Sequence, residues 1–442
     1  MLKSRFEIIN RSAHSKGSEV SEKKLKIAIV GGGVAGVTAA HILSRNHSVT
    51  LLEKNDYVGG HTNTIILPEG PDEGTPIDTG FLVCNDRNYP LFHQLLEQLN
   101  VKLRISNMSF GYFDEISGLQ YSGPEVNGVF AQRRNLLNFC FLGMLWDMDR
   151  FHQNARRDLF KGVLLDLTLG QYLVKGDYGK AFIHDYVVPM GSAIWSVSPG
   201  EMMEFPATTF IRFFDNHGLL TFTDRPHWQT VEGGAKAYIE AFLSRFKGEV
   251  KIRTAVKKVN RNSENIFLET IQGQILEFDR VVLACHADEA LEMLGDPSSE
   301  ERSALSPWRY EINRAVLHTD ESVMPPLKRA WASWNYMREK NSSSFPLVSV
   351  SYYMNRIHGL KAKKLYFVSL NRQGSIAQEK VIREISYTHP VFSREAVESQ
   401  PKLPALNGLR NTYFCGSYFG YGFHEDAVKS GVEVARCFGL DL

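Results

Sequence analysis

Cysteine is scarce in this chain and never paired by spacing. Cys84, Cys140, Cys285, Cys415 and Cys437 form no C-x-x-C motif, which argues against a zinc site or a disulfide framework and suits a reducing cytoplasm. Fourteen histidines are scattered without an H-E-x-x-H pattern, so no metal centre is expected. Charge of one sign is not in excess either. The net charge is +1, and nothing calls for nucleic acid or a strongly acidic partner. No apolar run is long enough to span a bilayer; the longest, Leu136 to Trp146, is interrupted by Asn138 and ends at Asp147. It reads either as a buried helix, or as a membrane-facing patch or the wall of a greasy channel. Residues 1–24 are polar, mixed in charge and without an apolar h-region, which predicts a disordered leader and not a secretory signal. Internal repeats, low-complexity linkers and a second G-x-G-x-x-G are also missing, so no separate nicotinamide domain is expected.

What is present is an ordinary globular mixture, 43% hydrophobic and 22% charged over 442 residues, enough for two or three domains. The informative stretch runs from Lys26 to Thr64. Ile27-Ala28-Ile29-Val30 reads as a buried strand leading into Gly31-Gly32-Gly33-Val34-Ala35-Gly36, with a helix expected from Val37 to Ser44. A second apolar run, Val49 to Leu52, ends at Glu53. This order is that of a dinucleotide-binding βαβ unit. Gly31 permits the tight turn, Gly33 lets a pyrophosphate approach the backbone, and Gly36 lets the helix pack on the strand. The helix N-terminus, through Ala35, offers N–H groups to phosphate. Glu53, followed by Lys54, is placed to accept from a ribose, and its charge disfavours a 2′-phosphate. The nucleotide is therefore FAD or NAD and not NADP.

Two later loops extend the site. Gly59-Gly60-His61-Thr62-Asn63-Thr64 keeps the chain low after the second strand, and Pro76-Ile77-Asp78-Thr79-Gly80-Phe81 is another turn where a backbone could approach a ligand. Near the C-terminus, Thr412-Tyr413-Phe414-Cys415-Gly416-Ser417 reads as strand and turn. A helix follows from around His424-Glu425-Asp426, with Gly431 allowing close packing. Two polar-group sites at opposite ends of the sequence suit an extended ligand such as FAD.

These segments resemble the flavin-containing amine oxidase superfamily. More narrowly, Gly59–Thr64, Pro189-Met190-Gly191-Ser192-Ala193-Ile194-Trp195-Ser196 and Gly420-Tyr421-Gly422-Phe423-His424-Glu425-Asp426 resemble a bacterial branch of FAD-dependent oxidoreductases. Members of that branch are often encoded beside cyclopropane-fatty-acid-synthase-like methyltransferases. The resemblance runs from about Lys26 to about Phe438. It implies an α/β fold: a Rossmann-like FAD-binding domain of the glutathione-reductase-like, amine oxidase type, with an inserted α+β substrate domain. The FAD domain would be assembled from 25–95, 230–300 and 405–442, and the substrate domain from 96–229 and 301–404. Two departures from the wider superfamily argue against a direct transfer of amine-oxidase chemistry. His61 stands where an arginine usually follows the glycine pair, and Ser417 where an acid usually meets the flavin's ribitol chain.

The sequence supports the middle piece independently. Val231-Glu232-Gly233-Gly234 opens an amphipathic helix, Ala235 to Phe246, followed by strand-like runs at Val250–Val259, Ile266–Thr270, Ile275–Phe278 and Val281–Ala284. Val256 resembles the residue whose backbone meets the adenine in related folds, or is a half-buried strand residue. A bound flavin would carry the hydride chemistry, leaving orientation and exclusion of water to the protein. Candidates around it are Trp195 with Ser196 on the substrate face, and Tyr418, Tyr421 and Phe423 at the isoalloxazine end. His424 could serve as donor or proton shuttle, and His389 is fixed beside Pro390. Trp195 reads equally as a structural tryptophan and His424 as a helix-start histidine.

The implied activity is hydride transfer between flavin and an acyl-lipid or small-molecule substrate, with oxygen, a quinone or a carrier protein as the other electron partner. A soluble amine oxidase, or a non-catalytic flavin-binding partner of a lipid methyltransferase, are the alternatives. The expected location is cytoplasmic, at most peripheral at the inner face of the membrane.

Overall fold

Ile27, Ala28 and Ile29 have no exposed surface because strand β1 (Lys26–Val30) runs through the middle of a sheet. The computed structural model describes residues 24–442 except 222, 224, 341–348 and 375; the leader expected at the N-terminus lies outside the described residues apart from Lys24. β1 is flanked by Ser48–Leu52 (β2) and Arg280–Leu283, with Glu249–Lys251 and Thr412–Phe414 at the edges. All four pairings are parallel. A parallel sheet is covered on both faces, which is why its strands read as unbroken apolar runs.

Helix α1 (Val34–Leu43) begins at Val34 and not at Val37, because Val37 N–H already bonds to the Gly33 carbonyl at 2.9 Å. The C-terminal helix (His424–Arg436) lies across it. A Cβ on Gly431 would come within 2.5 Å of the Ala35 carbonyl, so glycine is what lets these helices approach.

The run expected as one strand from Val250 to Val259 is two. Glu249–Lys251 joins the parallel sheet, then Arg253 takes a left-handed conformation (φ 53) and the chain re-emerges as Val256–Arg261. The break has a cause. Arg253 and Thr254 N–H groups donate to the Asn55 and Glu53 carbonyls, which ties the crossover to the end of β2. Val256–Arg261, Ile266–Thr270 and Ile275–Phe278 then form a separate antiparallel sheet.

A seven-stranded mixed sheet builds the second unit, in the order 381–391, 309–318, 367–370, 349–353, 334–338, 110–114, 120–122. Only the pairing of 334–338 with 110–114 is parallel. Its helices come from 126–216. Among them, the turn at Ile183–Val187 widens just before helix Val188–Trp195. Pro189 offers no N–H to the Asp185 carbonyl, and the Tyr121 hydroxyl takes it instead at 2.5 Å. The core here is aromatic, with Phe151, Phe182, Phe210 and Phe214 buried together.

Candidate functional site

Three glycines at the end of β1 are required for three different reasons. Gly31 has φ 111, and a Cβ there would meet the Ala284 carbonyl oxygen at 2.5 Å. A Cβ on Gly36 would run into the Gly31 carbonyl oxygen, so that glycine sets the helix–strand distance. Gly33 differs: a Cβ there would meet nothing within 4 Å. The backbone at Gly33 therefore faces open space at the very start of α1. That start carries no side-chain cap and no acid in its first turn. Uncapped N–H groups beside a glycine with room in front of it form a cradle for a pyrophosphate.

The second glycine pair closes the floor. Gly59 N–H donates to the Gly32 carbonyl at 2.8 Å, and Gly60 packs against Gly33. Glu53 is 5% exposed; its carboxylate accepts from Gly32 N–H at 2.8 Å and from Asn55 N–H at 2.8 Å. Each oxygen keeps a further lone pair for a ribose hydroxyl. Lys54 points away to a salt bridge with Glu289 at 2.5 Å. Val256 is half-buried at the start of its strand, opposite Thr270.

A hydrogen-bonded chain crosses the next layer. Thr62 Oγ1 lies 2.5 Å from the Tyr238 hydroxyl, which lies 2.9 Å from His424 Nε2. The His424 ring stacks on Phe81 at 3.7 Å, and burial lowers its pKa to about 3. Beside this chain, Thr79 Oγ1 meets the Tyr387 hydroxyl at 2.8 Å, and Gly80 leaves room for the His61 backbone. His61 stacks on Tyr387 at 4.9 Å and lies 5.2 Å from His389. Burial holds the His61 imidazole well below its ordinary pKa, and the neighbouring His389, His286 and His424 push the same way. Its Nε2 is buried without a hydrogen-bond partner in the protein.

At the C-terminal loop, Gly416 N–H donates to Ser430 Oγ at 2.9 Å, and the Ser417 carbonyl accepts from Gly420 and Gly422. Phe423 stacks on Phe213 at 4.7 Å. The Glu425 carboxylate accepts from Leu91 and Phe92 N–H groups at 2.9 Å each, capping helix α2 (Pro90–Leu99). Burial pushes its pKa up to about 7. Trp195 is 5% exposed among Phe205, Phe210 and Phe213, and its indole N–H reaches the Tyr421 carbonyl at 3.3 Å. The geometry thus gathers the glycines, Glu53, His61, Thr62, Thr79 and His424 into one place. It gives the side chains of Lys54, Glu425 and Trp195 other partners.

Tyr238, Tyr387 and Phe81 belong to the site without having been singled out for it. The signal for Tyr387 was present: Tyr387 and His389 alternate on one strand, so both rings project from one face toward His61. Nothing local marks Tyr238. Among the described residues, no group of three or more His, Cys, Asp or Glu is placed to hold a metal ion, and no helix is long and apolar enough to cross a membrane.

The donor set fits FAD: an uncapped helix start with open space at Gly33, a buried acid at the end of β2, and a buried unpartnered imidazole at His61. Comparison with known proteins agrees. Residues 34–356 match the family model for flavin containing amine oxidoreductases. Cinnamate reductase from Clostridium sporogenes is 50% identical over 58 residues, 13% of this chain and 8% of that protein. The 15-cis-phytoene desaturase of Arabidopsis thaliana is 23% identical over 320 residues, 67% of this chain and 54% of that one. The chain thus spans only part of the length of these curated relatives.

Among solved structures, a CLA-producing fatty acid isomerase from P. acnes superposes with TM-score 0.66 at 17% identity, covering 95% of this chain and 100% of that chain. Cyclohexylamine oxidase from Brevibacterium oxydans gives 0.65 at 14% identity, covering 94% and 98%. The chain belongs to the flavin-containing amine oxidoreductase family.

Proposed function

We propose that this oxidoreductase transfers a hydride between FAD and an uncharged apolar substrate, the acyl chain of a lipid. Bound FAD supplies the two-electron centre. The observation that carries the reading is that five carboxylates around the cradle are engaged within the protein, while Glu311, opposite His389 on the neighbouring strand, is pushed toward its neutral form by burial. Glu53 and Glu425 accept from backbone N–H groups, and Glu289 pairs with Lys54. Asp78 accepts from Thr64 Oγ1 and Ala235 N–H and faces His358 at 3.2 Å; Asp426 accepts from Tyr421 and Phe423 N–H. The remaining walls are aromatic rings and imidazoles that burial holds below their ordinary pKa, hence neutral at pH 7. An ammonium entering among these rings would shed water without gaining any of these five engaged carboxylates as a counter-ion, whereas an acyl chain needs none.

In this reading His424 is a neutral partner that holds the Tyr238 hydroxyl in place, and Thr79 does the same for Tyr387. Relatives named as a desaturase and a fatty acid isomerase support a lipid-like substrate. The test is anaerobic addition of detergent-dispersed phospholipid, or of an amine panel, to the FAD-loaded protein while its visible flavin band is followed. Bleaching by the lipid, or reoxidation of the dithionite-reduced protein by it, is expected. Bleaching by an amine alone would overturn the proposal in favour of an amine oxidase.

A further inference from the structure

Phe139 is 88% exposed, Leu137 85% and Trp146 71%, all within a few turns of one another. They belong to a short 3-10 turn (Arg133–Leu137) and the first half of the long helix that follows (Phe139–Phe160). Leu136 and Leu142 are exposed beside them. The spacing Phe139, Leu142, Trp146 marks one helical stripe, while Phe141, Met144, Phe151 and Ala155 bury the opposite stripe in the core. This segment is not frayed chain. Asn138 caps the helix by accepting from Cys140 and Phe141 N–H at 3.0 and 3.2 Å, so the apolar side chains are held outward.

Further along, the exposed side turns polar at Gln153 and Arg157, which separates this patch from the exposed Phe160 at the helix's other end. From Phe139 to Trp146 the stripe runs about 10 Å along the helix axis, two turns of apolar surface that can lie in the plane of a membrane interface.

The charge beside the patch is positive. Arg133 and Arg134 are exposed immediately before it, and among the described residues neither pairs with a carboxylate. The turn Lys328–Ala330 packs against helix Val126–Val129 and brings exposed Lys328 and Arg329 to the same edge. Of these cations only Lys328 is paired, with Glu321 at 3.3 Å, and the exposed Glu125 at the start of helix Val126–Val129 offsets one more, which leaves a positive excess. The chain as a whole is nearly neutral at +1, so this excess is local. A pinned apolar tip with a tryptophan at its upper level and a basic rim is the pattern of a surface that enters one leaflet of an anionic bilayer.

We infer that the Arg133–Trp146 segment docks the protein on an anionic phospholipid membrane, lying in the interface without crossing it. The inference deepens the acyl-lipid reading, because the same helix packs on Ala207–Asn216, whose Phe213 stacks on Phe423 beside the cofactor cradle. A membrane-bound tip would set the substrate unit between the lipid source and the site.

Co-sedimentation with vesicles of phosphatidylglycerol and phosphatidylcholine tests it, against vesicles of phosphatidylcholine alone. The FAD-loaded protein is expected to pellet with the anionic vesicles and to be released by salt. The double variant Leu137→Ser/Phe139→Ser, both outward-facing, should lose vesicle affinity by about tenfold or more with an unchanged thermal midpoint. Arg134→Glu should weaken binding several-fold only at low salt. No binding to anionic vesicles, or undiminished binding by the double variant, would overturn the inference. So would a dimer in sedimentation that the double variant dissociates, which would assign the patch to a second copy. Flavin bleaching by detergent-dispersed lipid needs no bilayer, so docking and substrate class fail or stand separately in these two assays.

Discussion

The Tyr238 hydroxyl lies 2.9 Å from His424 Nε2 and so joins helix Lys236–Arg245 to the first residue of the C-terminal helix. Thr62 extends the link to the loop after the glycine pair. Three segments remote in sequence are thereby held in register around the cradle. Tyr238→Phe should leave Thr62 Oγ1 and His424 Nε2 buried without this partner and destabilise the protein by about 1–3 kcal/mol. Chemical denaturation measures the loss, and FAD retained after desalting should fall with it. An unchanged midpoint would mean that water replaces the hydroxyl.

The glycines of the cradle should separate folding from cofactor binding. Gly36→Ala places a methyl on the Gly31 carbonyl and should destabilise the protein with or without FAD. Gly33 has φ −69 and open space, so Gly33→Val should fold within about 1 kcal/mol of the parent. Its branched side chain would stand where the pyrophosphate approaches, and FAD affinity should drop by tenfold or more. Apoprotein melting and flavin titration read the two effects independently.

Glu425→Ala leaves the Leu91 and Phe92 N–H groups uncapped and should cost about 1–2 kcal/mol. Glu425→Gln keeps one acceptor and removes a carboxylate whose pKa burial raises to about 7. It should therefore lose less stability than the alanine variant by an amount that does not vary with pH, and it should gain on the parent as pH rises from about 4.5 through 7, where the parent's buried carboxyl must ionise.

Stability should fall on acidification. Burial lowers His152, His217, His318 and His389 to about 4, His424 to about 3, and His61 well below its ordinary 6.5. Between pH 6.5 and about 4 the unfolded chain binds protons at these imidazoles and the folded chain does not, so folding weakens as pH falls. Glu425 and Asp426, raised to about 7 and about 6, act in the opposite sense because the folded state keeps their protons. The histidines outnumber them. The urea midpoint should decline from pH 7.5 to pH 5, and a rise would reverse the assigned balance.

The cradle was legible because its constraints are local. Gly31, Gly36 and Glu53 each answer to atoms placed by one βαβ unit, and that unit's strand order follows from its apolar runs. What local pattern could not show was which partner a polar side chain would choose at long range. Trp195 spends its N–H on Tyr421, 226 residues away, and Glu425 caps a helix 334 residues back. Tyr238 reads as one more apolar position on an amphipathic helix until His424 and Thr62 are brought to it. The run Leu136–Trp146 left two readings open, and the fold divides it: one stripe is buried and the other faces outward. Hydrophobicity alone does not say which side of a helix has a partner.

The edge strand Thr412–Phe414 and the helix that lies across α1 come after the βαβ unit and the rest of its sheet in chain order. On the ribosome, the chain can complete the βαβ unit early, yet the sheet and the far wall of the nucleotide site wait for this later segment. Cofactor capture should therefore wait until residues 412–436 have emerged. Nascent chains stalled before residue 412 should emerge colourless, however much of the glycine turn has already formed.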